Sequence, residues 1–259
     1  GYYAVCLTTT SATGEQKTWC EDVKIDNSIE NPCLFSCVWP GDANNDMEAN
    51  HYDIMTIGLN YGLVGPKRDS ASIGWYGQFA QNWSTYQLDG TNNKYGDANG
   101  DGMINRDDVE AIEQNFAFSH YKQPDVKNAA WEIRCVWVED SSKRAGSRAR
   151  ARAQLGPPAK SKAQSAIYAI GFEIEVIGGE KIIWDSIEAD FDNSWIGEDG
   201  VSMLTVTNMD EANNMINVGM TRTDGNNKVG SGTIAIFSFR FKDDQDETGV
   251  SFNVTTKGG

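Results

Sequence analysis

The sequence lacks several features that would place it in a common functional class. It contains no run of 18 consecutive apolar residues, so we predict no membrane-spanning helix. Positive charge is scarce, because 22 Lys and Arg stand against 37 Asp and Glu, which gives a net charge of −15. An acidic chain is poorly suited to binding nucleic acid phosphates and well suited to binding divalent cations.

Catalytic and zinc-binding motifs are also missing. The chain has two histidines, His51 and His120, and neither stands in a recognisable triad context. We find no Gly-x-Ser-x-Gly, His-Glu-x-x-His, phosphate-binding loop or Cys-x-x-Cys pattern. We therefore predict neither an enzyme nor a zinc ribbon. Because the sequence has no initiating Met and opens in a strand-like run, we interpret it as a processed product or a fragment.

Five cysteines are present, and two of them lie on successive strand-like runs. Cys6 is in YYAVCLTTT and Cys20 is in KTWCEDVKI, with the turn SATGEQ between the runs. A cross-strand disulfide between them would imply an oxidising, extracellular environment, and the alternative is buried free thiols. Cys33 and Cys37 could pair with each other, which would leave Cys135 over.

The first half of the chain contains an internal repeat. Segments 41–62 and 96–117 align at an offset of 55 residues with nine of 22 positions identical. They read GDANNDMEANHYDIMTIGLNYG and GDANGDGMINRDDVEAIEQNFA. Because the identities fall where a metal loop needs them, duplication explains the likeness better than chance.

Oxygen-bearing side chains recur at positions 1, 3, 5, 9 and 12 of each copy. Calcium takes roughly six to eight oxygen ligands, and alternating positions of a tight loop point inward to supply them. Position 7 normally contributes its backbone carbonyl. We predict two Ca²⁺ sites, with ligands Asp42, Asn44, Asp46, Glu48, Asn50 and Asp53 in the first loop and Asp97, Asn99, Asp101, Met103, Asn105 and Asp108 in the second.

The two loops differ at position 6, where the chain turns sharply and a positive φ is favoured. Gly102 meets this requirement in the second loop, but Met47 stands there in the first. Either Met47 accepts a strained positive φ at a cost of about 1 kcal/mol, or the first loop takes a different turn. We therefore predict that the first loop is the less ideal site.

Each loop is followed by one helix-like run, DIMTIGLNYG or DVEAIEQNFA, with no clear entering helix. Two loop–helix units that open on Gly-Asp-x-Asn-x-Asp and have Asp at position 12 resemble a dockerin. The insertion 61–95 is longer than a dockerin linker, but its YGLVGPKR and WYGQFAQNW segments resemble dockerin-like modules of secreted Bacteroidetes proteins. In dockerins, positions 10 and 11 often contact the partner, and here these are His51, Tyr52, Arg106 and Asp107. The two copies differ there, which implies one preferred docking face.

The insertion is rich in aromatic residues, which allow two interpretations. The rings could form a platform for sugars or for a partner protein. Alternatively, they form a lid that packs on the two calcium helices, which we favour because many large apolar side chains are rarely left exposed. The residues concerned are Trp75, Tyr76, Phe79, Trp83 and Tyr86.

From about residue 131 the pattern changes to many short strands separated by turns, which predicts a β-sandwich. The segments IYAIGFEIEV, DNSWIG, INVGMTRTDGN and GSGTIAIFSFRFKDD resemble a cohesin-like domain. One further strand, GSRARARAQLG, places Arg148, Arg150 and Arg152 on one face. This arginine row either binds an anionic partner or is a solvated, charge-protected strand face.

The opening segment GYYAVCLTTTSATGEQKTWCEDVKI resembles the final hairpin of a PKD-type immunoglobulin-like domain. The predicted organisation is the end of that domain in 1–26, a linker in 27–39, the dockerin-like module in 40–122 and the cohesin-like sandwich in 128–259. The predicted fold class is therefore mainly β with a small α module.

The resemblances imply a secreted, cell-surface, calcium-binding protein without catalytic activity. Because dockerins bind cohesins, the first hypothesis is a head-to-tail fibre, with other copies of the chain or another cohesin- or dockerin-bearing protein as partner. The second is a rigid monomeric stalk, packed within one chain, that displays another domain. The third is a carbohydrate-binding module for surface glycans that uses Trp75, Trp83 or Trp195.

Two short segments resemble the O-glycosylation sequon of Bacteroidetes. They are Asp-Ser-Ala at 69–71 and Asp-Ser-Ile at 185–187, and their acceptors would be Ser70 and Ser186. Both remain expectations from the resemblance.

Overall fold

The chain forms two compact units, residues 1–36 and 37–259. The structure is a computed structural model, which describes residues 2–11, 13–14, 16–24, 37–120, 132–138, 144, 146–156, 166–243 and 245–257.

The first unit contains an antiparallel hairpin of β1 (Tyr2–Thr10) and β2 (Gln16–Lys24). Cys6 lies directly opposite Cys20, and the two form a disulfide. One register step farther on the same face, the hydroxyls of Thr8 and Thr18 are 2.8 Å apart. This confirms the predicted cross-strand disulfide, and the bond fixes the register of the hairpin.

The two repeated loops, 42–53 and 97–108, each lead into a short helix of the second unit. Helix α1 is Asp53–Leu59, and α2 is Val109–Gln114, which continues directly from a 3-10 turn at Arg106–Asp108. The insertion adds one 3-10 turn at Asn93–Tyr95. No helix in the described part of the chain is long and apolar enough to cross a membrane.

The rest of the second unit is a sandwich of two four-stranded antiparallel sheets, with strand orders β3-β4-β11-β7 and β12-β6-β9-β8. A two-residue pair, β5 with β10, stands apart from them. Together with the two short helices, this confirms the predicted class, mainly β with a small α module. The strands are β3 Glu132–Trp137, β4 Arg148–Gly156, β5 Ala166–Ile167, β6 Ala169–Ile177, β7 Ile182–Asp190, β8 Met203–Asp210, β9 Met215–Arg222, β10 Lys228–Val229, β11 Gly232–Phe241 and β12 Ser251–Lys257.

The sandwich core lies between the sheets and is built from alternate residues of each strand. Phe237, Phe239 and Phe241 of β11 point into it, opposite Phe172 of β6 and its neighbours. On β4 the inward positions are small alanines, which leaves room for these large rings across the core. This alternation places the arginines of β4 on the outer face, as the period of two predicted.

Two cysteines of the second unit differ in their bonding state. Cys135 is a free thiol on β3 that packs against the sandwich core, and burial raises its pKa to about 12. Cys37 is disulfide-bonded. Cys33 lies outside the described residues.

One sheet of the sandwich is buried on both faces over part of its surface. In β6 the consecutive residues Ile170, Gly171 and Phe172 are all buried, and so are residues 218–222 of β9. A half-exposed strand would alternate between buried and exposed positions. The outer face of this sheet is covered by the first repeated loop and α1.

Candidate metal centre and docking face

The two loops repeat the same set of internal hydrogen bonds. In each loop the position-12 carboxylate accepts the backbone N–H groups of positions 3 and 9. The position-1 carboxylate accepts that of position 6, and the side chains at positions 3, 5 and 9 accept those at 5, 7 and 11. The donor–acceptor distances in the first and second loops are 3.0 and 3.0 Å from position 3 to 12, 2.8 and 2.8 Å from 9 to 12, and 3.1 and 3.2 Å from 6 to 1. They are 2.8 and 2.8 Å from position 5 to 3, 3.2 and 2.8 Å from 7 to 5, and 2.8 and 2.5 Å from 11 to 9.

The carboxylates at positions 1 and 12 of both loops are buried. Asp42 and Asp97 are 1% exposed, and Asp53 and Asp108 are 0% exposed. Burial raises the pKa of Asp42 and of Asp97 to about 6 and that of Asp108 to about 7. It also raises the pKa of Asp53 well above its ordinary value, and the neighbouring charges of Asp42 and Asp46 add to this effect. Each loop therefore concentrates negative charge that water does not solvate.

A bound divalent cation fits this arrangement, because it would compensate the buried carboxylates directly. No three acidic, His or Cys side chains among the described residues form a cage by themselves. The carboxamide oxygens and a backbone carbonyl must therefore complete any coordination shell. An all-oxygen donor set of this kind suits a hard cation such as Ca²⁺.

The backbone at position 7 is directed toward the loop in both copies. Met47 and Ala49 form hydrogen bonds with the segment that follows α2: Met47 O accepts from His120 N, Ala49 N donates to Phe118 O, and Ala49 O accepts from Ala117 N. Because carbonyls alternate in direction along an extended strand, the carbonyl of Glu48 points to the opposite side. The same alternation holds for Met103.

Each loop is paired with the segment that follows the helix of the other copy. The first loop pairs with residues 117–120 and the second with residues 62–65. The three equivalent bonds have equal lengths in the two copies, 2.8, 2.9 and 3.0 Å. Residues in the two sets differ by the same offset of 55 that the sequence repeat predicted, so the repeat has approximate two-fold symmetry in space.

Met47 adopts the strained conformation rather than a different turn. Its φ is 79°, close to the 88° of Gly102, its counterpart in the second loop. A non-glycine residue in this region costs about 1–3 kcal/mol and is held there by its surroundings. Here the backbone N–H of Met47 donates to Asp42, which retains the same loop geometry at the cost of strain.

We expect Met47→Gly to raise the free energy of unfolding by about 1 kcal/mol, because relief of strain outweighs the added entropy of the unfolded chain. Chemical denaturation with calcium present measures this. Met103→Gly is the matched control, since Met103 is not among the positive-φ residues, and it should lower the free energy instead. Equal effects of the two substitutions would contradict the assignment of strain to Met47.

The surroundings of the two loops are not identical. His120 Nε2 lies 2.9 Å from Asp42 Oδ2, and its ring stacks on Trp39 with centroids 4.5 Å apart. In the second loop Arg68 takes this place, and its guanidinium donates to the backbone carbonyls of Asp97 and Ala98 at 2.7 Å each. The sequence analysis included His120 only as a residue outside any triad, and Arg68 only as the last residue of the YGLVGPKR segment.

Positions 10 and 11 of the first loop pack on the sandwich of the same chain. His51 is 3% and Tyr52 7% exposed. They lie over Gly171 of β6 and Gly219 of β9, which are directly paired across the two strands. A methyl group at Gly219 would stand 2.0 Å from the carbonyl oxygen of His51, and one at Gly171 would stand 2.3 Å from the Tyr52 ring. We call this pair of glycines, Gly171 and Gly219, the glycine socket.

Helix α1 extends the contact along β9. A methyl group at Gly58 would lie 1.8 Å from the Thr221 hydroxyl, so the backbone of α1 packs directly against the Thr221 side chain of β9. The hydroxyl of Tyr168 donates to the carbonyl of Gly58 at 3.1 Å. An apolar cluster joins the two helices to β8 beneath this contact. It contains Ala43, Ile54, Ile57, Trp83, Ile104, Val109, Ile112, Leu204 and Val206.

The equivalent residues of the second copy lie at the rim of this interface. Arg106 and Asp107 are exposed. Between α2 and β8 a cleft of about 220 Å³ remains, lined by Arg106, Glu110, Glu113 and Thr205 among others. The two copies therefore contact the sandwich unequally.

The aromatic insertion is only partly a lid. Trp83 is 3% exposed and belongs to the apolar cluster under the helices. Trp75 is half-buried beside Trp39, with ring centroids 5.2 Å apart. The lid prediction was wrong for Tyr76, Phe79 and Tyr86, which are 48–60% exposed. The insertion has no helix or sheet that could cover both sides of its rings.

The remaining candidate residues are the β4 arginines and the two serines of the glycosylation-like segments. Arg148, Arg150 and Arg152 are on the outer face of the other sheet, and Arg148 forms a two-pronged ion pair with Glu188 at 2.5 and 2.6 Å. Ser70 is exposed in a turn. The structure disfavours Ser186 as a glycosylation acceptor, because its hydroxyl is buried, donates to Ile183 O and accepts from Arg240 N.

Comparisons with solved structures return cohesin modules at low similarity. The second type II cohesin module of the adaptor ScaA scaffoldin of Acetivibrio cellulolyticus is 10% identical, with TM-score 0.31, over 51% of this chain and 73% of that module. Type II cohesin A11 of Bacteroides cellulosolvens is 12% identical, with TM-score 0.32, over 48% and 78%. The endoglucanase CelQ of Clostridium thermocellum is 12% identical, with TM-score 0.30, over 66% and 31%.

Similarity at this level does not assign a function to the chain. No protein-family model matches the sequence, and no curated protein matches it. The dockerin-like, PKD-like and Bacteroidetes assignments therefore stay predictions.

Proposed function

We propose that the chain is a non-catalytic, calcium-binding structural module of an extracellular surface protein, in which the loop–helix unit and the sandwich act as one rigid piece. The observation that carries this proposal is the seat of His51 and Tyr52 on the glycine socket. These are the positions at which the resemblance predicts contact with a partner. Their partner here is the sheet of the same chain.

Calcium has a defined role in this proposal. The ligands of the first loop lie immediately before α1, and α1 carries the apolar residues that pack on β8 and β9. Holding the loop closed therefore holds the helix in place on the sandwich. Because the ion binds the folded loop and not the unfolded chain, it stabilises the whole unit by mass action.

The fibre hypothesis requires a different use of the same surfaces. A neighbour could dock on the glycine socket only after the chain's own first loop has left it. A monomeric stalk requires no such exchange, and the geometry favours it. The carbohydrate hypothesis loses Trp83, whose ring is buried, and rests on Trp75 and Trp195 alone.

Light scattering coupled to size exclusion tests the proposal, on residues 37–259 and on the full chain. We expect a monomer in calcium at every concentration, with the loop–helix unit and the sandwich unfolding in one transition. In chelator, limited proteolysis should cut within 40–120 while the sandwich persists. Filaments in electron micrographs of the calcium-bound chain would instead support the fibre.

A further inference from the structure

The outer face of the β3-β4-β11-β7 sheet carries most of the chain's arginine. Arg148, Arg150 and Arg152 lie on β4, and Arg134 and Arg240 lie on the flanking strands β3 and β11. These are five of the nine arginines in a chain of net charge −15. We call these five residues the arginine face. The sequence does not show that these five residues share one face, because Arg134 and Arg240 join the β4 arginines only through strand pairing.

Strand order rules out the simplest explanation of this face. Charged residues often protect the open edge of a sheet from pairing with another chain. Strand β4 is not an edge strand, because β3 pairs with it on one side and β11 on the other. The arginine row therefore protects no edge.

The face also has a cost for folding. Arg148 lies directly opposite Arg240 in the β4–β11 register, and like charges in that position destabilise a sheet. Glu188 of β7 partly offsets this, since it accepts both bonds of Arg148 and its pKa is also lowered by Arg240. Arg150 and Arg152 lie in line with Glu188 and Asp190 of β7 but are separated from them by β11, and Arg134 lies on β3, one strand farther away.

We propose that the arginine face binds an anionic polysaccharide, with the sugar chain running along β4. From Arg148 to Arg152 the row spans roughly 13 Å of strand, and the flanking strands add guanidinium groups roughly 5 Å to either side. The spacing of these guanidinium groups suits a ligand with repeating carboxylate or sulfate groups, each of which a guanidinium can bind through two hydrogen bonds. The acidic residues elsewhere on the surface repel a polyanion and direct it to this face.

A protein partner fits the face less well. Stable protein interfaces centre on buried aromatic or aliphatic anchors. Within the described part of this face, the large apolar side chains are the half-exposed Val136 and the partly buried Ile183 and Ile236. A flexible polyanion needs no such anchor, because several weak charge contacts along one chain add up.

Binding of the full chain to immobilised hyaluronate and dextran sulfate tests the proposal, with neutral dextran and duplex DNA as comparison surfaces. We expect binding to at least one acidic polysaccharide, none to dextran, and weakening as salt screens the contacts. Arg150→Gln/Arg152→Gln should weaken binding about tenfold. Lys67→Gln/Lys228→Gln, which removes the same charge from residues outside the β3-β4-β11-β7 sheet, should leave it unchanged.

Arg134→Gln/Arg240→Gln provides a second, independent removal of charge from the face, and melting curves check that every variant is folded. Loss of binding in both arginine pairs, with the lysine pair unaffected, supports the proposal. Equal losses in the lysine pair, or binding to DNA without binding to either polysaccharide, would overturn it. None of these outcomes depends on calcium or on whether the chain is monomeric.

Discussion

Gly219→Ala should lower the free energy of unfolding of the calcium-bound chain by about 3 kcal/mol. The new methyl group would stand 2.0 Å from the carbonyl oxygen of His51 and 2.9 Å from Ile54. A backbone atom cannot rotate away, so either β9 or the first loop must move. Without the loop, the same substitution would favour a strand, because glycine in a strand interior weakens it. Chemical denaturation gives the change directly.

Two further variants separate the interface from a general effect of the added methyl group. Gly74→Ala is the matched control, since its methyl group meets only side-chain atoms, at 3.3 Å or more. Gly171→Ala should be costly in the native background and much less so with Tyr52→Ala, because its clash is chiefly with the Tyr52 ring. Wild-type stability of Gly219→Ala would show that the loop does not lie on the socket.

Asp108→Asn should remove the calcium dependence of the second loop. At about 10 mM Ca²⁺ and a dissociation constant of about 10⁻⁴ M, one site contributes about 2.7 kcal/mol to the free energy of unfolding. The substitution keeps the shape of the side chain but loses the carboxylate that both anchors the loop and would bind the ion. We expect titration calorimetry to find one calcium ion per chain in place of two.

The adjacent Asp107→Asn is the control for this change. It removes the same charge by the same chemistry, but Asp107 is exposed and lies at position 11. Its difference in stability between calcium and chelator should equal that of the wild type. A stoichiometry of two in Asp108→Asn would refute the assignment of position 12 as a ligand, and unchanged melting of the wild type in chelator would refute calcium binding altogether.

The sequence predicted the loops in detail because their information is local. Spacing alone identified Asp42 and Asp97 as equivalent, and the six repeated hydrogen bonds follow the same numbering. The strained turn at Met47 was one of two alternatives, since the residue type shows the conflict but not its outcome. Pairing of Cys6 with Cys20 likewise follows from two strands and the turn between them.

The docking of the first loop could not be predicted in the same way. It depends on Gly171 and Gly219, which are 48 residues apart in the sequence and lie side by side only after β6 and β9 pair. Neither glycine has a positive φ, so no turn signal marks them. The arginine face could not be predicted for a similar reason. Arg134 and Arg240 join the three arginines of β4 only through the order of the strands.

The crossed pairing of the loops bears on how such a module could have arisen. A single loop–helix unit has no partner for residues 47–49, because those backbone groups are satisfied by the segment after the other unit's helix. Two units are the smallest number in which both loops find a hydrogen-bonding partner. An unduplicated ancestor would therefore have had to associate as a symmetric dimer, and fusion of its two genes would have made that contact permanent. The symmetric pairing uses only residues 62–65 of the 61–95 insertion, so the rest of this segment was free to lengthen.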